Sequence, residues 1–201
     1  MPSWGATDAD ESKPKYLTDA EKKLVFANAS GWVLEAGSES SRFTGNDNAD
    51  ADPEILVAIG DLSTSIGAAD ITEVEMITTT ADKSEGFTIS VRVRYNEAVD
   101  VVTTGGTPTL AVTNGNEGTG TGRGPHSLSY ASGTGTNELV FSLAIAADNA
   151  ATNADDVLSV GAQSIALNSG TMKDATGTAS DASLVISSAQ GTAAGSVTVT
   201  A

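Results

Sequence analysis

The sequence has no cysteine and a single histidine, His126. Without cysteine the fold can contain neither a disulfide framework nor a thiolate metal site. One histidine per chain also excludes a zinc site built on paired histidines. A Ser-His-Asp triad would need His126, but "GRGPHSLS" lacks the Gly-x-Ser-x-Gly nucleophile turn. We therefore predict a loop histidine beside Pro125 and no enzyme activity.

Basic residues and long apolar runs are also scarce. The chain has ten Lys and Arg residues but 26 Asp and Glu residues, which gives a formal net charge of −16. Such a field repels phosphate backbones, so no nucleic-acid partner is expected. No run reaches the ~18 apolar residues of a spanning helix, and "MPSWGATDADESKPKYLT" lacks the regions of a secretory signal. These features predict a soluble protein without a membrane partner or a cleaved leader.

Turn residues and short alternating patterns fill residues 71–201. The stretch "GFTISVRVRYNE" has one apolar and one polar face, which predicts a strand with one face in the core and one in water. The apolar positions are Phe87, Ile89, Val91, Val93 and Tyr95, and the polar ones are Thr88, Ser90, Arg92 and Arg94. Further candidate strands are "ITEVEMITT", "PTLAVT", "SLSYAS", "ELVFSLAI", "QSIALN", "SLVISS" and "SVTVTA". The spacing predicts a mostly β fold, an immunoglobulin-like Greek-key β-sandwich, with "SGTGTN" joining two paired strands.

Residues 1–70 have a different pattern. Thr18 and Glu21 have the spacing of a capping box, which predicts a short helix over residues 19–27. "GWVLEA" and "EILVAIG" predict a β-hairpin. The chain therefore divides into an N-terminal attachment segment (arm, short helix and β-hairpin) over residues 1–70 and the sandwich over residues 71–201.

The stretch "ESKPKYL" within the arm is the best candidate for partner binding. Two lysines flank a proline that favours extended backbone, and apolar anchors follow, which suits an arm laid along a neighbouring protein. The candidate partner-binding residues are Trp4, Lys13, Pro14, Lys15, Tyr16 and Leu17. An arm folded back on its own hairpin stays open as the alternative.

Three polar loops are candidate ligand sites. "GTGTGRG" at residues 118–124 lacks the Lys and Ser/Thr of a phosphate-binding loop, so it predicts a strand connection. "NDNADADPE" places oxygen ligands at alternate positions, but an EF-hand counted from Asn46 would need Gly and Glu where Ala51 and Val57 stand. We predict no cofactor. Two alternatives stay open for this loop and "DNAATNADD": both are solvated acidic turns, or the two loops bind a calcium ion between them.

Residues 72–188 resemble a bacterial immunoglobulin-like module that occurs in tandem in large surface adhesins. The matching pieces, in order, are "SEGFTISVRVRYNEAVDV", "TTGGTPTL", "YASGTGTNELVF" and "SGTMKDATGTASDASL". The resemblance implies a spacer or adhesion domain and no catalytic activity. One departure is Thr178, where the module usually has Asn.

The first seventy residues resemble the N-terminal part of small virion structural proteins of marine tailed phages, including cyanophages. The resemblance rests on "WGATDADESKPKYLT", "VFANASGW" and "EILVAIGDLS". It implies a capsid decoration or cement protein on the virion surface, assembled in the host cytoplasm. Its partner would be the major capsid protein or another virion protein, and self-association on the capsid stays open. The alternative is an adhesion or carbohydrate-binding module of a tail or surface structure.

Overall fold

A computed structural model describes residues 14, 16–38, 48–115, 125–176 and 179–201. Strands make up 48% and helices 8%, so the predicted mostly β class is confirmed. The strands in these residues are β1 Val25–Asn28, β2 Gly31–Leu34, β3 Glu54–Ala58, β4 Ile71–Met76, β5 Ala81–Asp82, β6 Phe87–Val102, β7 Thr109–Gly115, β8 His126–Ser132, β9 Thr136–Ile145, β10 Val157–Ser159, β11 Gln163–Ser164, β12 Thr171–Asp174, β13 Val185–Ile186 and β14 Ser196–Thr200. The helices are α1 Asp19–Lys22, α2 Leu62–Ser65 and α3 Ser188–Ala193.

Strand β6 is the centre of the fold. It pairs antiparallel with β9 on one edge and with β4 on the other, and its final residues pair with β12. From β9 the sheet continues through β8, β7, β10 and β14 to β5. Buried side chains from all of these strands belong to one large core.

The predicted core face of β6 is confirmed. Ile89, Val91, Val93 and Tyr95 are almost completely buried, and Phe87 packs against the same core. The predicted wet face is wrong at Arg94, which is 8% exposed. Its guanidinium contacts the carboxylates of Glu73, Glu138 and, from the N-terminal part of the chain, Glu35. Period-2 alternation within one strand cannot reveal such partners.

The connection between β8 and β9 matches the expectation for "SGTGTN". The two strands pair antiparallel, and Gly133 at the turn has φ of 109°. A Cβ atom at this position would lie 1.9 Å from the backbone oxygen of Glu138. The flexible-looking tract is therefore a tight turn that only glycine fits.

The N-terminal part has a core of its own. Strands β1, β2 and β3 form an antiparallel ladder with β2 in the middle, so the predicted pairing of "GWVLEA" with "EILVAIG" is confirmed and extended by one strand. We call the described residues from 16 to 66 the N-terminal unit and those from 69 to 201 the C-terminal unit. The small core contains Leu17, Val25, Ala27, Trp32, Leu34 and Leu62, whereas the large core begins at Ala69.

The predicted helix over residues 19–27 begins correctly and ends too late. Thr18 and Glu21 form the capping box, with the Thr18 N–H donating to the Glu21 carboxylate at 2.7 Å. The helix stops at Lys22, and β1 occupies residues for which helix was predicted. Val25 and Phe26 favour a strand once β2 supplies a partner, which local capping signals do not report.

The last third of the chain has less regular structure than predicted. "QSIALN" and "SLVISS" contain only the two-residue strands β11 and β13. Helix α3 follows β13 and was not predicted, although Ser187 and Gln190 form a capping box that could have indicated it.

Candidate functional site: the N-terminal unit and its joint

The structure divides the six predicted partner-binding residues. Trp4, Lys13 and Lys15 lie outside the described residues. Pro14 and Leu17 are buried, and Leu17 belongs to the small core. Tyr16 is 49% exposed. Leu17, which the sequence suggested as an anchor for a partner, thus packs inside its own chain. Tyr16 is the predicted apolar anchor that lies at the surface.

Strand β3 was not predicted as a binding element, yet it has the most exposed large apolar residue of the N-terminal unit. Ile55 is 52% exposed. Trp32 and Val33 are adjacent on β2 but face Val57 and Ile55 on β3, so Leu56 is an extra residue that forms a β-bulge. The bulge lets Leu56 and Val57 both pack on the small core, while Ile55 faces outward.

The outer edge of β3 pairs with no strand in the described ranges, since β3 ends the order of the sheet beside β2. The residues around it carry exposed carboxylates. Asp50, Asp52, Glu54 and Asp61 are all exposed. An edge strand with an apolar side chain and unpaired backbone groups is a template for strand addition, and its acidic surroundings favour a basic partner segment.

A cluster of charged side chains joins the two units. We call it the joint cluster, and it consists of Lys23, Glu35, Glu73, Glu75, Arg92, Arg94 and Glu138. From the N-terminal unit, Lys23 Nζ lies 2.8 Å from a Glu73 oxygen, and Glu35 lies 3.7 Å from Arg94 Nη2. Within the C-terminal unit, Arg94 Nη1 also donates to Glu73 at 2.6 Å, and its Nε donates to Glu138. Arg92 bridges Glu75 and Glu138 at 2.6 and 3.3 Å.

Burial and like charge shift the acid-base behaviour of the joint cluster. Burial, reinforced by Glu138, raises the pKa of Glu35 to about 7 against the opposing effect of Arg94. Burial also tends to raise the pKa of Glu73, but bonds from Lys23 and Arg94 outweigh it and hold that pKa below its usual value. The cluster has four carboxylates against three cations, so one carboxylate is in excess and binds a proton readily.

The remaining candidate ligand residues that the structure describes make hydrogen bonds within the chain. His126 begins β8 and was wrongly predicted as a loop residue. It is buried, with Nε2 3.1 Å from Thr152 Oγ1, and its pKa is lowered by burial despite Asp156. In "DNAATNADD", Asp156 accepts the Asn153 N–H at 2.7 Å. Asn48 accepts the Asp50 N–H at 3.0 Å in the first acidic loop, whereas Asn46 and residues 118–124 lie outside the described residues.

Within the described ranges no group of three or more His, Cys, Asp or Glu is arranged to hold a metal ion. In the part of the chain that the structure describes, no helix has the length and apolar character needed to cross a membrane. Comparisons with protein families, curated proteins and solved structures find no match to this chain. The functional argument therefore rests on the sequence pattern and on the geometry of the N-terminal unit.

Proposed function

We propose that this chain is a non-enzymatic structural protein of a phage virion. In this proposal it is a capsid decoration or cement protein on the virion surface, assembled in the host cytoplasm. The N-terminal unit binds the major capsid protein or another virion protein. The C-terminal unit is an immunoglobulin-like Greek-key sandwich that faces outward. The resemblances carried by residues 1–70 and 72–188 supply the class of protein, and the geometry of β3 supplies the mode of attachment.

The observation that carries the proposal is the outward side of β3. Ile55 is exposed on a strand whose backbone pairs on one edge only within the described residues. A partner strand added at the other edge would gain main-chain hydrogen bonds and cover the Ile55 side chain. In strand addition of this kind, the main-chain hydrogen bonds give affinity, and the side-chain contacts give specificity.

The charge of the chain argues for a partner of a different composition. At a net charge of −16, two copies repel each other. The acidic residues around β3, among them Asp52 and Glu54, would add to that repulsion if two β3 strands paired. We therefore propose that the partner segment is an extended strand that carries Lys or Arg at its flanks.

Co-sedimentation with capsids that have been stripped of this protein tests the proposal. We expect saturable binding by the unaltered chain and at least tenfold weaker binding by Ile55→Glu. The matched control is Val185→Glu, because Val185 is also an exposed apolar residue (63%) but lies on β13 of the C-terminal unit. Equal binding by the unaltered chain and Ile55→Glu would overturn the attachment through β3.

A shortened chain tests the contribution of the arm. Deleting residues 1–20 would also remove Leu17 from the small core and Thr18 from the capping box. Deleting residues 1–13 removes Trp4 and Lys13 and leaves both in place, so loss of binding then reports on the arm alone. Absence of binding by the unaltered chain to any capsid preparation would contradict the decoration role and favour the adhesion alternative.

A further inference from the structure

Four residues form a second polar cluster at the joint between the two units. We call it the Glu97 cluster, and it consists of Ser63, Glu97, Asp174 and Thr176. Thr176 Oγ1 lies 2.8 Å from Asp174 Oδ1, 3.0 Å from the Ser63 backbone oxygen and 3.4 Å from Glu97 Oε2. Ser63 belongs to α2 of the N-terminal unit, whereas Glu97 is on β6 and Asp174 on β12.

The cluster has more acceptor oxygens than donor hydrogens. The Thr176 hydroxyl carries one hydrogen, so it can donate fully to only one of its three neighbours. The Thr176 N–H is a second donor, and it is used by Asp174 Oδ1 at 2.6 Å. The carboxylate of Glu97 therefore competes for a single hydroxyl hydrogen that two other oxygens also face.

Among the residues that the structure describes, two buried oxygens of this cluster have no hydrogen-bond partner. They are Glu97 Oε1 and Ser63 Oγ, in residues that are 0% and 1% exposed. Glu97 Oε2 contacts Thr176, so the carboxyl group is directed into the cluster and its second oxygen lies there unsatisfied. A buried carboxylate oxygen without a partner is costly, and native proteins pair such groups or bind an ion to them.

We propose that the Glu97 cluster binds a calcium ion that joins the N-terminal unit to the C-terminal unit. The ligands are the carboxylates of Glu97 and Asp174, the backbone oxygen of Ser63 and the hydroxyl of Thr176. Calcium prefers oxygen ligands of these kinds and tolerates irregular geometry, with water completing the shell. Two carboxylates match its charge, and the absence of nitrogen and sulfur ligands from the set disfavours zinc.

The composition of the site predicts modest affinity. Two carboxylates with neutral oxygens make a weak site, with a dissociation constant on the order of 10⁻⁴ to 10⁻³ M. Carboxylate ligands bind calcium in their ionised form, so alkaline pH is the appropriate condition for measuring the affinity.

Calorimetric titration of the full chain with calcium chloride at pH 9, after removal of metal with EDTA, tests the site. Thermal unfolding with and without calcium provides the second readout. We expect saturable binding and a melting temperature that rises by several degrees, because an ion bound only by the folded state stabilises it. Magnesium at equal concentration should have a much smaller effect, since it requires strict octahedral geometry.

Substitutions in and outside the cluster decide whether any effect comes from this site. Glu97→Gln keeps the shape of the protonated side chain and should remove calcium binding while the chain stays folded. Asp174→Asn should weaken binding at least tenfold. The control is Asp100→Asn, an exposed carboxylate on the same strand β6, which should leave binding unchanged.

Three results would overturn the proposal. They are absence of a calcium effect, an equal effect in Glu97→Gln, and stability that depends on pH in the unaltered chain but never on calcium. The third would mean that a proton alone satisfies Glu97. None of these measurements involves a capsid, so they are independent of the proposed function.

Discussion

The carboxylate of Glu35, just beyond β2, lies 3.7 Å from the guanidinium of Arg94 on β6. This pair connects two segments whose apolar residues belong to separate cores. Ala27 on β1 also pairs in parallel with Glu97 on β6, which is a second connection between the units. The attachment of the N-terminal unit thus depends on polar and charged contacts as well as strand pairing, which makes it sensitive to substitution, pH and ions.

Removing the central cation of the joint cluster should destabilise the protein strongly. Arg94→Ala leaves Glu35, Glu73 and Glu138 close together without their shared partner, and we expect a loss of about 3 kcal/mol in the free energy of unfolding. Urea unfolding checks this value. The control is Lys173→Ala, which removes an exposed pair with Asp181 and should cost less than about 1 kcal/mol. Equal losses in the two variants would contradict the role given to Arg94.

Stability should fall as the pH rises through the neutral range. The pKa values of Glu35 and Glu97 are raised from 4.5 to about 7 and about 8. The folded state therefore holds these protons more tightly than the unfolded state. Their contribution is fully present below about pH 4.5 and is lost as the pH rises through 7 and 8. Arg94, Arg92 and Glu138 face Glu35, while Asp174, Thr176 and Asp70 face Glu97.

Urea unfolding at pH 5, 7 and 9 in the presence of EDTA measures this dependence. Glu97→Gln cannot lose a proton, so its stability relative to the unaltered chain should increase from pH 5 to pH 9. Glu54→Gln, which changes an exposed carboxylate on β3, serves as the control. The difference in stability between this variant and the unaltered chain should be the same at all three pH values. A constant difference for Glu97→Gln as well would show that Glu97 does not titrate in this range.

Gly31 fixes the tight approach of β2 to β3. Its φ is 136°, and a Cβ atom there would lie 2.0 Å from the Val57 backbone oxygen. Gly31→Ala should therefore destabilise the protein by about 2 kcal/mol, measured by urea unfolding with fluorescence of the neighbouring Trp32. At Gly60 no atom of the described residues lies within 4 Å of an added Cβ atom, so Gly60→Ala should change stability by less than about 0.5 kcal/mol.

The hydroxyl of Tyr95, a buried residue of the large core, donates to the Ser183 backbone oxygen at 3.0 Å. Tyr95→Phe should cost about 1 kcal/mol in the free energy of unfolding, because the partly buried Ser183 oxygen loses its donor. The control is Tyr130→Phe, whose hydroxyl accepts the Thr134 N–H at the exposed β8–β9 turn and should cost less. Thermal unfolding distinguishes the two, and a larger loss for Tyr130→Phe would contradict this ranking.

Local sequence signals succeeded where neighbouring residues decide the structure. The Thr18–Glu21 capping box, the turn at Gly133 and the core face of β6 all depend on residues close together in the chain. The prediction of the end of α1 was wrong because β1, which follows it, forms only when β2 is beside it. The prediction of a longer strand at β11 was wrong because apolar alternation does not determine how many residues of a strand pair with a neighbour.

The candidate site was predicted in part. The sequence predicted partner-binding residues in the arm. Of these, Tyr16 is exposed, whereas Leu17 is buried in its own chain. It did not indicate Ile55, because a β-bulge at Leu56 sets which residues of β3 face outward. It also treated Arg94 as solvated, because Glu35 lies far from it in the chain and approaches it only in the folded protein.

The sequence by itself determined the mostly β class, the alternating core strand and the acidic character of the protein, because composition and period-2 patterning act within single segments. Only the tertiary structure decided which charges are buried. The joint cluster and the Glu97 cluster each combine residues from distant segments, and the burial that raises the pKa values of Glu35 and Glu97 exists only in the folded protein.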